Sequence, residues 1–361
     1  MSAAAAIHRP PVVRWGILGP GTIAANFAAG LAEVPEGQLV AVGGRNFGRL
    51  TRFGDRWGVP APARHDSYEA LVADPNVDAV YVATPHSFHL PHGLLVLRAG
   101  KALLVEKPAG LNQTEVTTLI AEARASGSFF MEAYKCRCHP QMRIMTDLIR
   151  AGRIGTVHRI EASYGFIARA DPSSRLFDPK VGGGAILDIG GYTLAAVRLA
   201  AGAARGLPFA EPLHLKGQRV IGPTGVDESA TAQLDFGGGL VAEICCSITQ
   251  TLPNQLLVKG SKGEILLPDP WTPGRNGGPS DTRIEVSGHN TFKTIHYRDP
   301  RHLFAYEIAM ACHAVRKGHS APAFPAMGGE DSIGNARASD LWLASPSSTP
   351  RSFPCEPSQE T

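Results

Sequence analysis

Val12-Val13-Arg14-Trp15-Gly16-Ile17-Leu18, followed at once by Gly19-Pro20-Gly21-Thr22-Ile23-Ala24, decides the fold. An apolar, partly β-branched run ends on glycines, and the glycines open a segment with helical spacing. A Gly-x-Gly pattern carries meaning only in that strand-to-helix setting. Gly19 permits the tight turn, and Gly21 lets the backbone come close to a pyrophosphate. The N–H groups of Thr22 and Ile23 at the helix start then receive the ligand's charge. Ala24 is small enough to keep helix and strand in close contact. A turn that merely uses glycine is the alternative reading.

Outward from this segment to about Phe130, short aliphatic runs alternate with helical patterns: Leu39–Val42, Phe47–Trp57, Ala79–Val82, Leu90–Ala99, Ala102–Val105 and Thr114–Ser126. This rhythm predicts βαβ units. Runs such as Ala79-Val80-Tyr81-Val82 are apolar throughout, as parallel strands covered on both faces must be, so the half is predicted to be a doubly wound α/β sheet that binds a nucleotide. After two predicted helices (Gln141–Ala151 and Ala185–Ala201) the texture becomes alternating strands from Val157–Ala168 to Thr291–Tyr297, linked by Gly-rich turns. That predicts a largely antiparallel sheet arranged as a meander. The expected division is a dinucleotide-binding domain over 10–134, a substrate-binding domain over 135–344 and a Ser/Pro-rich disordered tail over 345–361.

The chemistry-bearing residues fall at predicted strand ends. Arg45 stands after Val40-Ala41-Val42-Gly43-Gly44, where an NAD site places an acid to accept from the ribose 2′-hydroxyl. A guanidinium instead matches a 2′-phosphate, which points to NADP(H) over NAD(H), with Arg49 one turn on as a helper; a solvated surface arginine is the plain alternative. Thr84-Pro85-His86-Ser87-Phe88-His89 and Glu106-Lys107-Pro108 end two further strands and should converge on one crevice. Burial or a neighbouring cation would lower the Lys107 pKa, although alone it could be an ordinary lysine. Asp188 and Tyr192, four apart after Gly182-Gly183-Gly184, share a helical face; Asp188 could also be only a cap.

A chain of 361 residues gives a prior of about two domains, each able to bury a core. A net charge of +3 without charge blocks argues against nucleic-acid or anionic-membrane capture. No apolar run is read as approaching a membrane span of roughly 18 residues. The N-terminal residues lack a secretory pattern, so a cytoplasmic location is expected. Six cysteines include Cys245-Cys246 and Cys136-x-Cys138, spacings that suit neither a disulfide framework nor a zinc ribbon, so free thiols and no metal are expected.

These motifs in this order resemble the Gfo/Idh/MocA oxidoreductases over about Val12–Leu343: Gly19 to Ala24, Ala83 to His86, Glu106-Lys107-Pro108, Met131 to Tyr134 with Arg137 to Pro140, and Gly182 to Tyr192. The sequence is most similar to the branch containing dimeric dihydrodiol dehydrogenase and NADP-dependent D-xylose dehydrogenase, with tyrosine at position 192. Lys135-Cys136 and Ala196 depart from the family pattern near the expected pocket. The resemblance implies an N-terminal Rossmann domain, a C-terminal α/β domain with an open, mainly antiparallel sheet, and self-association through that sheet as a homodimer or homotetramer.

It further implies hydride transfer between NADP and a secondary or hemiacetal hydroxyl of a carbohydrate-like substrate, a sugar, cyclic polyol or diol. Tyr192 would exchange the proton, with Lys107 lowering its pKa and Asp188 orienting substrate or amine. Gly19, Gly21, Thr22, Ile23, Arg45, Arg49, Thr84, Pro85, His89, Glu106 and Lys107 would hold the cofactor. His86, Tyr134, Arg137, Asp188 and Tyr192 would line the substrate pocket. The alternatives are a ketoreductase of a nucleotide-linked keto-sugar and a non-catalytic NADP-sensing regulator.

Overall fold

The computed structural model describes residues 11–169, 171, 174–274, 280–288 and 291–348. Six strands form the first sheet: β1 (Val13–Leu18), β2 (Gly37–Gly43), β3 (Arg64–His65), β4 (Ala79–Val82), β5 (Ala102–Glu106) and β6 (Phe130–Ala133). All pairs are parallel, in the order β3-β2-β1-β4-β5-β6. The intervening helices are α1 (Thr22–Leu31), α2 (Phe47–Trp57), α3 (Tyr68–Ala73), α4 (His89–Arg98) and α5 (Gln113–Ser126). Alternate residues explain the continuous apolarity. Trp15, Ile17, Tyr81 and Leu104 face one core, whereas Leu18, Val80, Val82, Leu103 and Val105 face another. Each such fully buried large side chain contributes about 1.5–3 kcal/mol.

After α6 (Lys135–Cys138) and α7 (Pro140–Arg150) comes β7 (Val157–Gly165), then a π-helical turn, Ile186–Gly190, running into α8 (Gly191–Ala204). The second sheet adds β8 (His214–Ile221), β9 (Asp227–Gly237), β10 (Leu240–Ser247), β11 (Gln255–Gly260), β12 (Gly263–Pro268), β13 (Ser280–Gly288) and β14 (Thr291–Asp299). Helices α9 (Leu303–Lys317) and α10 (Gly329–Leu343) and the short β15 (Ser347–Ser348) complete the described chain. The order is β14-β13-β12-β11-β7-β10-β9-β8-β15. The sheet is mainly antiparallel, but it is not one meander. β7 inserts between two meanders and runs parallel to β10. Its inner face packs on α8, while its outer face carries ion pairs joining Arg159 to Glu161 and Glu243.

Several expectations change. Ser347–Ser348, expected within a disordered tail, pairs with Arg219 and Val220, and the Arg219 side chain donates to the Ser345 carbonyl. The rest of that tail, 349–361, lies outside the described residues. One helical stretch, Pro179–Ala204, is long and apolar enough to cross a membrane, contrary to the sequence reading. Its most apolar window is 94% buried inside the protein, so its apolarity serves the second core. Cys136, Cys138, Cys246 and Cys312 are free and buried, but Cys245 is disulfide-bonded, against the expectation of free thiols throughout.

Helix α9, far along the chain, covers the first sheet. Phe304 seats on Gly30 of α1, where a Cβ would come within 2.7 Å of the Phe304 Cβ. Trp15 donates its indole N–H to Cys312 at 3.3 Å. Helix α9 is thereby fastened to α1 and β1 of the first sheet.

Candidate active site

Gly19 has φ +90°, a conformation that L side chains rarely adopt, and makes the turn from β1. Helix α1 begins at Gly21 without a side-chain cap, so its first N–H groups are not satisfied by a neighbouring oxygen of that kind. A Cβ on Gly21 would meet no protein atom within 4 Å. Thr22 is exposed and Ile23 half-buried on this first turn. An open glycine in front of uncapped N–H groups fits a pyrophosphate.

At the end of β2, the exposed Arg45 guanidinium lies 5.9 Å from the Tyr68 ring centroid and 5.7 Å from that of Phe88. Those rings preset its position at the same edge as Gly21. Arg49 is also exposed, its backbone N–H donating to the Asn46 cap. Thr84 contacts His92 through its hydroxyl at 3.0 Å, and Pro85 is exposed beside it. His92 is pushed down to about 4 by burial, with His89 and Arg45 adding to the effect.

Lys107, Asp188 and Tyr192 come together, but the Tyr192 phenol oxygen has an unexpected partner. Lys107 projects from the end of β5 and donates to both the main-chain carbonyl and the carboxylate of Asp188, the latter at 3.2 Å. Asp188 sits on the π-helical turn Ile186–Gly190, and its carbonyl accepts from Lys107. Both guanidinium NH2 groups of Arg175 reach the same carboxylate oxygen at 3.1 Å. Burial alone would raise the Asp188 pKa, but Lys107, Arg175 and His86 overcome it and hold the carboxyl well below its usual range. Lys107 is lowered, chiefly by burial, with Arg175 and Lys135 adding to the effect against the attraction of Asp188.

Tyr192, on the first turn of α8, lies with its ring centroid 5.3 Å from Lys107 Nζ. Its phenol oxygen accepts a 2.6 Å hydrogen bond from Lys135, not from Lys107. Tyr134, Tyr164 and Trp271 surround the ring edge-on and fix its plane. The loop before Asp188 is equally determined. Gly184 has φ +114°, and a Cβ there would collide with the Asp227 carboxylate, which accepts from Ile186 N–H at 2.7 Å.

Four expected contacts are corrected. His89 is fully buried, with its ring nitrogens 2.6 Å from the Pro108 carbonyl and 2.7 Å from that of Thr84, so it ties two loops together and presents no face to a cofactor. Glu106 is buried and accepts from the Tyr81 hydroxyl at 2.5 Å and from the Lys107 N–H. Tyr134 is behind Tyr192, its hydroxyl accepting from Asn335 at 3.2 Å. Arg137 spends its guanidinium on Pro325, Ala195 and Asp331 and does not line the pocket. His86, by contrast, stays beside the dyad: its Nδ1–H donates to the Gly182 carbonyl at 3.0 Å, and burial keeps it well below its usual pKa.

A family model described as an oxidoreductase family with an NAD-binding Rossmann fold matches residues 13–134, and the Gfo/Idh/MocA C-terminal domain matches residues 142–266. The chain belongs to the Gfo/Idh/MocA oxidoreductase family. Among relatives of this Gfo/Idh/MocA chain, trans-1,2-dihydrobenzene-1,2-diol dehydrogenase from Mus musculus is 37% identical over 72% of the chain and 76% of its own length. The Oryctolagus cuniculus protein of that name is 33% identical over 84% of the chain and 89% of its own.

Among solved structures, a 3-ketoreductase from Actinomadura kijaniata with NADP and TDP-benzene superposes with TM-score 0.80 at 26% identity, covering 94% of this chain and 99% of that one. An aldose-aldose oxidoreductase from Caulobacter crescentus, at 23% identity and TM-score 0.82, covers 92% and 96% and shares the fold. This Gfo/Idh/MocA protein is thus an oxidoreductase with a Rossmann domain.

The sequence reading missed Arg175, which no motif marks, and the part played by Lys135. The only signal for Lys135 was its departure from the family pattern.

Proposed function

We propose that the chain is an NADP-dependent oxidoreductase moving a hydride between nicotinamide and a secondary or hemiacetal hydroxyl, or the matching carbonyl, of a sugar, cyclic polyol or diol. One observation carries this reading: Lys107, Asp188 and Tyr192, drawn from both halves of the chain, converge at the carboxyl end of β5. Bound nicotinamide would supply the hydride acceptor or donor. The first turn of α1, Gly21 and Arg45 would hold the dinucleotide. Tyr192 exchanges the hydroxyl proton, and Lys107, fixed by Asp188, orients the substrate oxygen. Arg45, in place of an acid, supports NADP over NAD.

Dihydrodiol dehydrogenase relatives support a vicinal diol or polyol substrate. The 3-ketoreductase similarity favours reduction of a nucleotide-linked keto-sugar as the second reading. The same proposal takes the chain to be cytoplasmic and to self-associate through the outer face of the second sheet. A screen of aldoses, inositols, diols and keto-sugars with NADP(H) and NAD(H), followed through reduced-nicotinamide absorbance in both directions, tests it. Turnover of diols or polyols with NADP is expected; absence of turnover with every class and both cofactors would overturn it.

A further inference from the structure

Lys135 is the cation in direct contact with the Tyr192 phenol. Its Nζ lies 2.6 Å from the phenol oxygen, whereas Lys107 Nζ is engaged by Asp188 and lies over the ring face. Lys135 is 2% exposed and is wedged between aromatic rings, with Nζ 5.2 Å from the centroids of both Tyr192 and Phe304. Among the described residues no carboxylate forms an ion pair with it. Glu307, one turn beyond Phe304 on α9, is fully buried, and both its carboxyl oxygens lack a hydrogen-bond partner among the described residues. Burial, reinforced by Glu106 and opposed by Lys135, pushes the Glu307 carboxyl well up, which disfavours its charged form.

We infer that Lys135 is the positioning residue that sets the ionisation of Tyr192, its buried ammonium stabilising the phenolate that receives the substrate proton. An opposite charge in contact with an acid favours the ionised form. An oxygen that accepts from an ammonium also turns its own hydrogen away from it, toward the site. The other groups around Tyr192 work against ionisation or are already committed. Tyr134, Tyr164 and Tyr81 surround it or couple to it as acids themselves. Asp188 on its own element is negative and bound by Lys107 and Arg175. Lys107 adds positive charge over the ring face. Lys135 is thus the cation at the oxygen itself. The inference deepens the proposed function and rests on Tyr192 as its proton-exchanging group.

The test is a near-ultraviolet tyrosinate titration of ligand-free protein, in which wild type minus Tyr192→Phe isolates the Tyr192 signal. Against a Lys135→Met, Tyr192→Phe reference, Lys135→Met is expected to raise the Tyr192 midpoint by about 1–3 units, a roughly 10- to 1,000-fold loss of phenolate near neutrality. Lys135→Arg should keep the midpoint low. Lys135→Gln, which keeps a donor but not the charge, should behave like methionine and serves if the methionine variant does not fold. A midpoint unchanged in folded Met and Gln variants, or one that moves with Lys107→Met and not with Lys135→Met, overturns the inference. Because this readout needs neither substrate nor cofactor, a Lys135-dependent midpoint in a protein that turns over nothing would sink the proposed function and leave standing only the control of Tyr192 ionisation by Lys135. With an active enzyme, the pH limb of kcat assigned to Tyr192 should move alkaline in the same variants.

Discussion

Lys107 meets Asp188 twice, donating to its main-chain carbonyl and, at 3.2 Å, to its carboxylate. One residue ends a strand of the first sheet, and the other lies on the π-helical turn that enters the second domain's central helix. The contact therefore locks the two halves in register at the site. A second cation, Arg175, reaches the same carboxylate oxygen from a side chain about half exposed, so Asp188 carries its charge for both. This arrangement holds Lys107 still while leaving it only partly neutralised, which suits an amine that must hold a substrate oxygen.

Replacing the amine should separate chemistry from cofactor binding. Lys107→Ala removes an ammonium over the Tyr192 ring face together with its bond to the Asp188 carboxylate, but touches neither Gly21 nor Arg45. Turnover should fall by about 10²- to 10⁴-fold, the range for losing a positioned proton-transfer or orienting group. NADPH affinity, read by fluorescence titration, should stay within a few-fold. Retained turnover would remove Lys107 from the site.

Cofactor choice should rest on Arg45. Its guanidinium is exposed and bracketed by Tyr68 and Phe88, so its truncation disturbs little packing. Losing one charge-assisted bond worth about 1.5–3 kcal/mol should weaken NADPH binding by about 10- to 150-fold and leave NADH nearly unaffected in Arg45→Ala. Isothermal titration with both nucleotides measures the contrast. Equal losses would show that Arg45 reads nothing at the 2′ position.

The first sheet was legible because its central strands are apolar on both faces and its glycines sit at a strand end; β4 and β5, wholly buried, carried that signal. β6 was not read as a strand, since a buried glutamate, Glu132, interrupts the apolar run of Phe130–Ala133. The parallel pairing of β7 with β10 was invisible because periodicity reports which face is buried and not which neighbour is paired. Lys107, Asp188 and Tyr192 could be found from strand-end and helix-face positions. His89, Glu106 and Arg137 lie in the same motifs, yet they bond interior carbonyls and side chains, and residue type alone does not distinguish a pocket liner from a buried strut. Lys135 appears 57 residues from Tyr192, a separation that only the fold closes.

The glycine triad should prove to be structural in origin and catalytic in consequence. Gly184 has φ +114° and no room for a Cβ against Asp227. Gly184→Ala should therefore destabilise the protein by about 1–3 kcal/mol in urea unfolding, and it should lower kcat by displacing the turn that carries Asp188. A variant as stable and active as wild type would mean that this loop is free to take another path.

Asp227 supplies a pH signature with a definite sign. Burial raises its carboxyl to about 6 from 3.8, although the N–H of Ile186 opposes the shift. The folded protein thus holds this proton more tightly than the unfolded chain. The associated stability is fully present below about 3.8 and is lost as pH rises through about 6, a swing on the order of 3 kcal/mol. Asn keeps an amide oxygen to accept from Ile186 N–H but cannot ionise. Relative to wild type, Asp227→Asn should therefore gain unfolding free energy between about pH 4 and pH 7, most steeply around pH 5. Chemical denaturation of both proteins across that range measures the difference. A difference that stays flat with pH would show that Asp227 is not buried as a proton-holding acid beneath the Gly184 turn, and the support this residue gives to the Asp188 segment would have to come from somewhere else.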